Sequence, residues 1–328
     1  MVLCAGFAYM NRVALKDFFM GQRTINSSEV KLLLEDDYSL DSLATILVAN
    51  EIISLGDDFI KEATKQGLSD TSFDAGKYVV LSRTKISDLV SGFVKTENGH
   101  GKAEIKVNVI FNRCETIEDI GMNISKCIQA DSSSIVDYIQ SDVALQKYQF
   151  SEAQIPALFL PSSYEMYYDT DAEEFVAFMA EKFKEFWNES RMNQLKEIGL
   201  NYPSQAVTLA SIVYSEQSKV KEEWPIIAKL YLNRLNTGMK LQSDPTFKFC
   251  WKGELEGVNR LLAKHRSIDC PYNTYKYVGL PPGPICITPS EVIDAVLNPA
   301  SVDYLFMCAK PDYSGAHNFT KSDVQHVK

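Results

Sequence analysis

The sequence predicts an α+β protein of more than one domain, on three observations. Its 328 residues exceed the usual size of a single domain, so two or three domains are expected. A hydrophobic content of 45% with 11% aromatic residues is typical of globular chains that bury a full core. Short strand-like runs followed by capped helices fill the first part of the chain, whereas longer helical patterns dominate after about residue 170.

A strand followed by a capped helix recurs in the first part of the chain. Val30–Leu34 precedes a helix opened by Ser39, and Val107–Phe111 precedes a helix opened by Thr116. Tyr78–Leu81 begins a partial copy. Serine and threonine are favoured N-caps, because their hydroxyls accept hydrogen bonds from the unpaired N–H groups of the first helical turn. The repetition predicts small modules of similar construction.

Residues 29–98 have the outline of a LysM-like βααβ module, because Asp57–Ala63 adds a second helix before the Tyr78 strand. The polar, glycine-containing stretch Lys95–Lys102 predicts a boundary. Residues 103–156 are then a second LysM-like module. Two interpretations of such short elements are equally good: the modules bind a glycan, or they act only as a spacer in front of the rest of the chain.

Charge and cysteine content exclude several classes of function. The net charge is −10 and no basic block is present, which argues against nucleic acid and against electrostatic docking to anionic lipid. The seven cysteines and four histidines are dispersed without metal-type spacing, so no metal site and no cofactor are predicted. Mostly unpaired, buried thiols are the favoured interpretation, and a bridge from Cys250 to Cys270 is the alternative.

One acidic residue lies in the apolar stripe of a predicted helix within 206–218. Leu209, Ile212, Val213 and Glu216 fall on one helical face. A carboxylate on the inward face is desolvated, which raises its pKa and suits a general acid. The alternative places Glu216 at the edge of the stripe, near water or a cation.

Several motifs follow in a fixed order and resemble one family. After Leu-Ala-Ser-Ile-Val-x-x-Glu come Asn-Arg-Leu at the end of a helix over 224–236, Gly-Met-x-Leu-Gln-Ser-Asp-Pro-Thr at 238–246, Tyr-Asn-Thr-Tyr at 272–275, Gly-Leu-Pro-Pro-Gly-Pro-Ile at 279–285 and His-x-Phe at 317–319. Over residues 155–320 this set resembles the YceG-like endolytic murein transglycosylases, membrane-anchored bacterial enzymes that cut nascent peptidoglycan. The resemblance implies LysM-like modules followed by a YceG-like α+β catalytic domain at 157–328.

The resemblance also implies the chemistry. These enzymes cleave the β-1,4 bond between MurNAc and GlcNAc and leave 1,6-anhydroMurNAc ends. One glutamate acts first as acid and then as base, and the matching residue is Glu216. Many members carry another glutamate two positions earlier, where this chain has Tyr214. If the chain is active, Glu216 must be the acid, because a tyrosine has no suitable pKa.

Polar residues of the same motifs are candidates for binding the substrate. They are Asn233, Arg234, Gln242, Ser243, Asp244, Thr246, Tyr272, Asn273, Thr274, Tyr275 and His317. Asn233 and Arg234 could instead stabilise a helix end. Asp244 could form an Asx turn or serve as a second carboxylate.

Two alternative functions stay open. A lysozyme-like muramidase would use Glu216 with Asp244, since hydrolysis normally needs two carboxylates. A non-catalytic glycan-binding scaffold is supported by the loss of the carboxylate at Tyr214.

The resemblance implies location and partners as well. Residues 1–28, with the apolar run Val2–Tyr9, are interpreted as the remnant of an N-terminal membrane anchor and its linker, with a buried strand as the alternative. The expected location is the inner membrane, single-pass, with the catalytic part in the periplasm. The expected partners are glycan strands and peptidoglycan synthases of the elongation machinery.

Three further elements are predicted in the second half. A long helix from Ala172 to about Met192 carries an aromatic stripe that suits core packing. Thr288 and Glu291 form a loose capping box before a helix ending at Leu297. Tyr304–Met307 is predicted to be a buried strand.

Overall fold

The computed structural model describes residues 23–111, 114–255 and 263–322. The chain forms two compact units. The first comprises Met1–Val109, Lys126–Ala130 and Tyr164–Asp171, and the second comprises Ile110–Ser125, Asp131–Ser163 and Ala172–Lys328. Both units contain helices and strands, which confirms the predicted α+β class. The four-segment division at 1–28, 29–98, 103–156 and 157–328 stays a prediction.

In its described residues, the first unit contains short strands and three helices. In chain order these are β1 Val30–Leu34, β2 Tyr38–Ser39, α1 Leu40–Ala49, α2 Gly56–Lys65, β3 Ser72–Phe73, β4 Gly76–Val80, α3 Ile86–Phe93, β5 Val107–Ile110 and β6 Ser163–Met166. Strands β1 and β4 pair antiparallel, with Leu32 opposite Tyr78. Strands β2 and β3 form a second pair, and β5 and β6 a third.

Local sequence signals explain this unit. Leu32 and Leu34 are buried while their neighbours are exposed or half-buried, as the two-residue period of a strand requires. The Ser39 hydroxyl accepts a hydrogen bond from the Ser42 N–H, which confirms the predicted N-cap. Phe59 and Phe73 lie in the core between α2 and β3. The βααβ order is therefore present, and its LysM-like character remains a proposal.

The second unit is mainly helical. Its elements are α4 Ile117–Ile124, α5 Ser132–Gln140, α6 Asp142–Tyr148, α7 Ala172–Phe186, α8 Glu189–Glu197, α9 Pro203–Glu216, α10 Trp224–Asn236, α11 Asp244–Cys250, α12 Ala263–Arg266, α13 Ser290–Leu297, β7 Phe306–Ala309 and β8 His317–Thr320. Short 3₁₀ turns occur at Ile155–Leu158 and Lys221–Glu223. Thr116 and Asp119 form a reciprocal capping box at the start of α4, which confirms the predicted cap.

The long helix predicted from Ala172 to Met192 is two helices. Helix α7 ends at Phe186, and the extended backbone of Asn188 starts α8, where its side chain accepts a hydrogen bond from the Arg191 N–H. A local capping interaction therefore outweighs the continuous apolar pattern. The aromatic stripe does pack into the interior, since Phe175 and Met179 are fully buried.

Helix α9 lies at the centre of the second unit. Every residue of 206–213 is buried, including polar Thr208 and Ser211. Thr208 donates to the Ser204 carbonyl, and Ser211 donates to the Thr208 carbonyl and accepts from the Ile285 N–H. Helices α10 and α13 pack against it. A helix covered on all sides holds its last residue, Glu216, in a fixed place.

Two predicted details near the end of the chain are wrong. The Thr288 hydroxyl bonds the Cys286 carbonyl rather than capping α13, whose preceding residue is Pro289. The predicted buried strand Tyr304–Met307 lies at Phe306–Ala309 and is partly exposed. It pairs with β8 in a two-stranded sheet, which is too small to bury both of its faces.

The favoured interpretation of unpaired thiols is wrong for one pair, because Cys250 and Cys270 form a disulfide. The described cysteines at 114, 127, 286 and 308 form none.

No helix in the described ranges is long and apolar enough to cross a bilayer. The predicted anchor run Val2–Tyr9 lies outside the described residues.

Candidate active site

Glu216 is the last residue of α9. Pro203 occupies the first turn, where its missing N–H has no intrahelical partner to lose, and Gln205 Oε1 accepts hydrogen bonds from the N–H groups of Asn201 and Tyr202. Leu209, Ile212 and Val213 are fully buried, which confirms the predicted stripe. The Glu216 side chain extends from the end of this stripe and is partly buried.

Two hydroxyl groups donate to the same oxygen of Glu216. Tyr231 Oη lies 2.8 Å from Glu216 Oε1, and Ser243 Oγ lies 2.5 Å from it. Among the described residues, no hydrogen bond reaches Oε2. The two oxygens therefore differ: Oε1 is held by donors, and Oε2 is available for a proton and a substrate.

The electrostatics favour the protonated acid. Burial raises the pKa of Glu216 by more than the hydrogen bonds from Ser243 and Tyr231 lower it, and the nearby Asp244 carboxylate raises it further. His317 acts in the opposite direction, and the pKa of Glu216 lies above that of an ordinary glutamate. The site thus combines an acid that keeps its proton to higher pH than an ordinary glutamate with two donors that stabilise it once it is ionised.

Tyr231 was missed by sequence reasoning. It lies on the buried face of α10 with Ile227, and is 1% exposed. Burial and the Glu216 carboxylate raise the pKa of the Tyr231 phenol, so it remains a donor. The sequence did contain a signal for this role, because a tyrosine on a buried helical face normally directs its hydroxyl to a hydrogen-bond partner.

Ser243 is positioned by two buried threonines. Its N–H donates to Thr274 Oγ1 at 3.0 Å, and its carbonyl accepts from Thr246 Oγ1 at 2.7 Å. The two threonine hydroxyls lie 2.8 Å apart. The motifs at 238–246 and 272–275 therefore meet beneath Glu216, and the role of Thr246 and Thr274 is to hold Ser243.

Both carboxylate oxygens of Asp244 have a partner. It is the first residue of α11, and its Oδ1 accepts a 2.5 Å hydrogen bond from the Tyr275 hydroxyl. Its Oδ2 lies 3.3 Å from the Arg266 guanidinium. Desolvation and the bond to Asp244 raise the pKa of the Tyr275 phenol, so it also stays protonated. The carboxylate lies near Glu216 but is paired with two partners of its own.

Three candidate substrate ligands bind backbone carbonyls instead. Asn233 Nδ2 donates to the carbonyls of residues 302 and 304, and Arg234 donates to those of residues 305, 240 and 241. Asn273 Nδ2 donates to the carbonyls of residues 266 and 268. These contacts favour the structural alternative for Asn233 and Arg234 and give Asn273 a similar role.

A buried network links the end of α9 to β8. Glu223 Oε2 lies 2.7 Å from His317 Nδ1, and Gln217 Nε2 donates to the same oxygen at 2.9 Å. The Trp224 indole N–H donates to the Gln217 carbonyl at 2.6 Å. Burial raises the pKa of Glu223, but the hydrogen bonds from His317 and Gln217 outweigh it, and the net pKa is lowered. Sequence reasoning singled out His317 but neither Glu223 nor Gln217.

The remaining residues predicted to bind substrate, Gln242 and Tyr272, lie at the edge of the site. Gln242 is exposed, has a positive φ of 53°, and donates its N–H to the Thr274 carbonyl. The Tyr272 ring packs at a tilt against the Phe249 ring, with centroids 4.6 Å apart. Tyr214 packs against Trp224. The structure thus brings Glu216, Ser243, Asp244, Tyr275 and His317 together and leaves Gln242 and Tyr272 outside the polar centre.

Comparison with known proteins gives consistent matches. An endolytic murein transglycosylase of Bacillus subtilis is 39% identical over 122 residues, which are 37% of this chain and 32% of that protein. One of Streptococcus pneumoniae is 37% identical over 110 residues, 32% of this chain and 19% of that protein. The matched stretch thus spans a third or less of these relatives. A crystal structure of a yceG-like protein from Listeria monocytogenes shares the fold with a TM-score of 0.55 at 21% identity, over 92% of this chain and 99% of that one.

The model of the YceG-like family matches residues 32–328, which is most of the chain and includes every residue of the site described above. The chain therefore belongs to the YceG-like family.

Proposed function

We propose that this chain is an endolytic peptidoglycan lytic transglycosylase that uses Glu216 as its single acid and base. The observation that carries the proposal is the asymmetric carboxyl group, with two hydroxyl donors on Oε1 and a raised pKa. The similarity to endolytic murein transglycosylases of Bacillus subtilis and Streptococcus pneumoniae supports the same chemistry.

The geometry supports a two-stage use of this group. Protonated Glu216 donates from Oε2 to the glycosidic oxygen as the bond between MurNAc C1 and GlcNAc breaks. The resulting carboxylate is stabilised by the hydroxyls of Tyr231 and Ser243. It then removes the proton from the C6 hydroxyl of MurNAc, whose oxygen closes on C1 to form the 1,6-anhydro end. Glu216 regains its proton, and no water is consumed.

Asp244 supports this route over hydrolysis. A hydrolase needs a second carboxylate that attacks the sugar or activates water. Asp244 Oδ1 accepts from Tyr275 and Oδ2 is paired with Arg266, so an attack through either oxygen would compete with a contact that the oxygen already makes. A muramidase using Glu216 and Asp244 is the alternative that the product analysis distinguishes.

The test is mass spectrometry of the products formed from uncrosslinked glycan strands by the parent chain, Glu216→Gln and the exposed control Glu222→Gln. We expect anhydro ends with the parent and Glu222→Gln and a loss of at least about a hundredfold in rate with Glu216→Gln. Reducing ends would instead identify a hydrolase. Strand binding without cleavage in all three would overturn the catalytic proposal and leave a glycan-binding scaffold.

We also propose the location and partners that the family resemblance implies. The chain would act outside the cytoplasm, anchored in the inner membrane by an N-terminal helix, with LysM-like modules before the catalytic part and peptidoglycan synthases as partners. The Cys250–Cys270 disulfide supports an oxidising compartment, because such bonds persist outside the cytosol.

A further inference from the structure

A cavity of about 470 Å³ lies at the start of α9, at the other end of this helix from Glu216. Ser204 lines the cavity and, at 1.5 Å per residue, lies about 18 Å from Glu216 along the helix. The lining residues all belong to the second unit. The volume is within the range of roughly 300–1,000 Å³ that small-molecule sites have. The cavity is therefore separate from the catalytic centre and large enough for a ligand.

Ser204 lines this cavity with a hydroxyl that has no protein partner. The residue is 6% exposed, and its hydroxyl forms no hydrogen bond with any part of the chain that the structure describes. The buried hydroxyls of Thr208 and Ser211, further along the same helix, both donate to backbone carbonyls. A hydroxyl that is removed from bulk water and left unpaired is costly. Its position on a cavity wall therefore indicates a ligand that forms a hydrogen bond with it.

Two glutamine amides add donors to the same walls. Gln154 Oε1 accepts from the Ser151 N–H at 3.3 Å, and Gln205 Oε1 accepts from the N–H groups of Asn201 and Tyr202. These bonds use the amide oxygens, and neither Nε2 group has a partner within the described ranges. The cavity thus offers a hydroxyl and two amide groups that can donate to the oxygens of a ligand.

The rest of the lining is largely apolar, and no charged side chain of the described residues takes part in it. The apolar side chains include Leu200, Leu232, Leu235, Leu280 and Pro281. An ionic ligand would lose its hydration here without gaining a counter-charge, which disfavours phosphate and carboxylate groups. A neutral ligand with both hydrogen-bond acceptors and apolar surface fits these walls. An N-acetylated sugar has both, in its hydroxyl and acetamido oxygens and in its methyl group and C–H faces.

The walls of the cavity are held in place by packing. The Ile285 N–H donates to the buried Ser211 hydroxyl at 3.0 Å, which fixes the 279–285 loop beside α9. Gly283 of this loop lies so close to the Ala153 carbonyl that a Cβ at this position would overlap it. A site that is already formed loses little conformational entropy when a ligand binds.

We propose that this cavity binds a neutral N-acetylated sugar unit of a glycan strand, as a second site apart from Glu216. The choice of a glycan among neutral ligands rests on the proposed function. Tyr202, whose N–H bonds Gln205, is 65% exposed and offers an aromatic ring beside the cavity. A strand that occupied both sites would be held near Glu216 at a raised effective concentration.

The test is a titration of the full chain carrying Glu216→Gln, in which binding is measured without cleavage. The probe is N,N′,N″-triacetylchitotriose, and we expect saturable shifts of the methyl NMR signals of Leu232, Leu235 and Leu280. Cellotriose, which lacks the acetamido groups, should bind at least about tenfold more weakly, because it leaves the donors of the site unpaired.

Variants of the cavity wall locate the binding. Ser204→Ala should weaken binding by about three- to tenfold, because it removes one hydrogen bond. Ser190→Ala is the matched control, since Ser190 is exposed and is also the second residue of its helix, α8. Asn236 lines the cavity and is exposed, so Asn236→Ala serves as the second variant if Ser204→Ala fails to fold, and it should also weaken binding.

Four results would each overturn the proposal. They are no saturable binding, shifts confined to Ile212 and Val213 near Glu216, equal affinity for cellotriose, and equal affinities in the cavity variants and Ser190→Ala. The product analysis described above is independent of this titration. Anhydro ends from the parent chain without binding at the cavity would reject this site alone, whereas binding at the cavity without cleavage by the parent would reject the catalytic proposal alone.

Discussion

Glu223 contacts His317 through both of its carboxylate oxygens. Oε1 accepts the His317 backbone N–H at 2.8 Å, and Oε2 lies 2.7 Å from Nδ1 of the imidazole. This pairing favours a proton on Nδ1, which leaves Nε2 as the ring nitrogen that can accept a proton or a hydrogen bond. Glu223 therefore orients the His317 ring, which lies close enough to Glu216 to lower the pKa of that carboxyl group.

The first prediction concerns this pair. Glu223→Gln should lower kcat by about tenfold or more, because an amide cannot hold the same imidazole tautomer as a carboxylate does. Glu222→Gln, its exposed neighbour, should leave kcat unchanged. The measurement is the turnover of glycan strands together with the ¹⁵N shifts of the His317 ring. Equal turnover in the two variants with an unchanged tautomer would contradict the positioning role.

A second prediction concerns Tyr231. Tyr231→Phe keeps the ring and removes a donor to the Glu216 carboxylate, so the pKa of Glu216 should rise further. The loss of activity with rising pH should then move to higher pH. The turnover should fall by about ten- to hundredfold, because the ionised acid loses a charge-assisted bond. Tyr214→Phe is the matched control, and a shift of the pH profile to lower pH would contradict this role.

A third prediction links Glu216 to stability. Its raised pKa means that the folded state binds more protons than the unfolded state between the two pKa values. The contribution of Glu216 to the free energy of unfolding is therefore fully present below its pKa in the unfolded state. It is lost as the pH rises through its pKa in the folded state. Glu216→Gln should be more stable than the parent at about pH 8 and similar to it at about pH 4. Urea unfolding at both pH values measures this, and a less stable variant at the higher pH would exclude the inferred desolvation.

A fourth prediction concerns the disulfide. Cys250→Ser with Cys270→Ser opens a loop closed over a sequence separation of 20 and should lower the free energy of unfolding by about 3 kcal/mol. The bridge joins the end of α11 to the residues before Thr274, so activity should fall as well. Urea unfolding and turnover measure the two effects. Cys308→Ser is the control, and a double variant as stable as this control would show that the bridge does not stabilise the fold.

A fifth prediction separates the structural and substrate-binding roles of Arg234. Arg234 is 7% exposed, and its guanidinium donates to the backbone carbonyls of residues 240, 241 and 305. Lysine has a single ammonium group that cannot reach them all, so Arg234→Lys should lower the free energy of unfolding by roughly 2–4 kcal/mol. A variant of normal stability with a raised KM would instead support substrate binding.

Local signals predicted the elements that depend on nearby residues. The caps at Ser39 and Thr116 were correct, since a hydroxyl and the N–H groups it accepts from lie within one turn. The bounds of α10 agreed with the sequence because Pro225 in the first turn and the following apolar period define the same helix. The helix predicted through Met192 failed because Asn188 caps a new helix, which a pattern of apolar residues alone does not show.

The sequence by itself determined the family motifs, their order and the inward position of Glu216, because each depends on residue types within a few turns of the chain. Only the tertiary structure decided which groups meet at that glutamate. Tyr231 and Ser243 converge on one oxygen from different segments, Asp244 is engaged by Tyr275, and Glu223 holds His317 across a wide sequence separation. The physical reason is the separation along the chain over which each kind of interaction acts. Helical period and capping act within about four residues, whereas hydrogen bonds between distant segments form only where packing has already brought their backbones together.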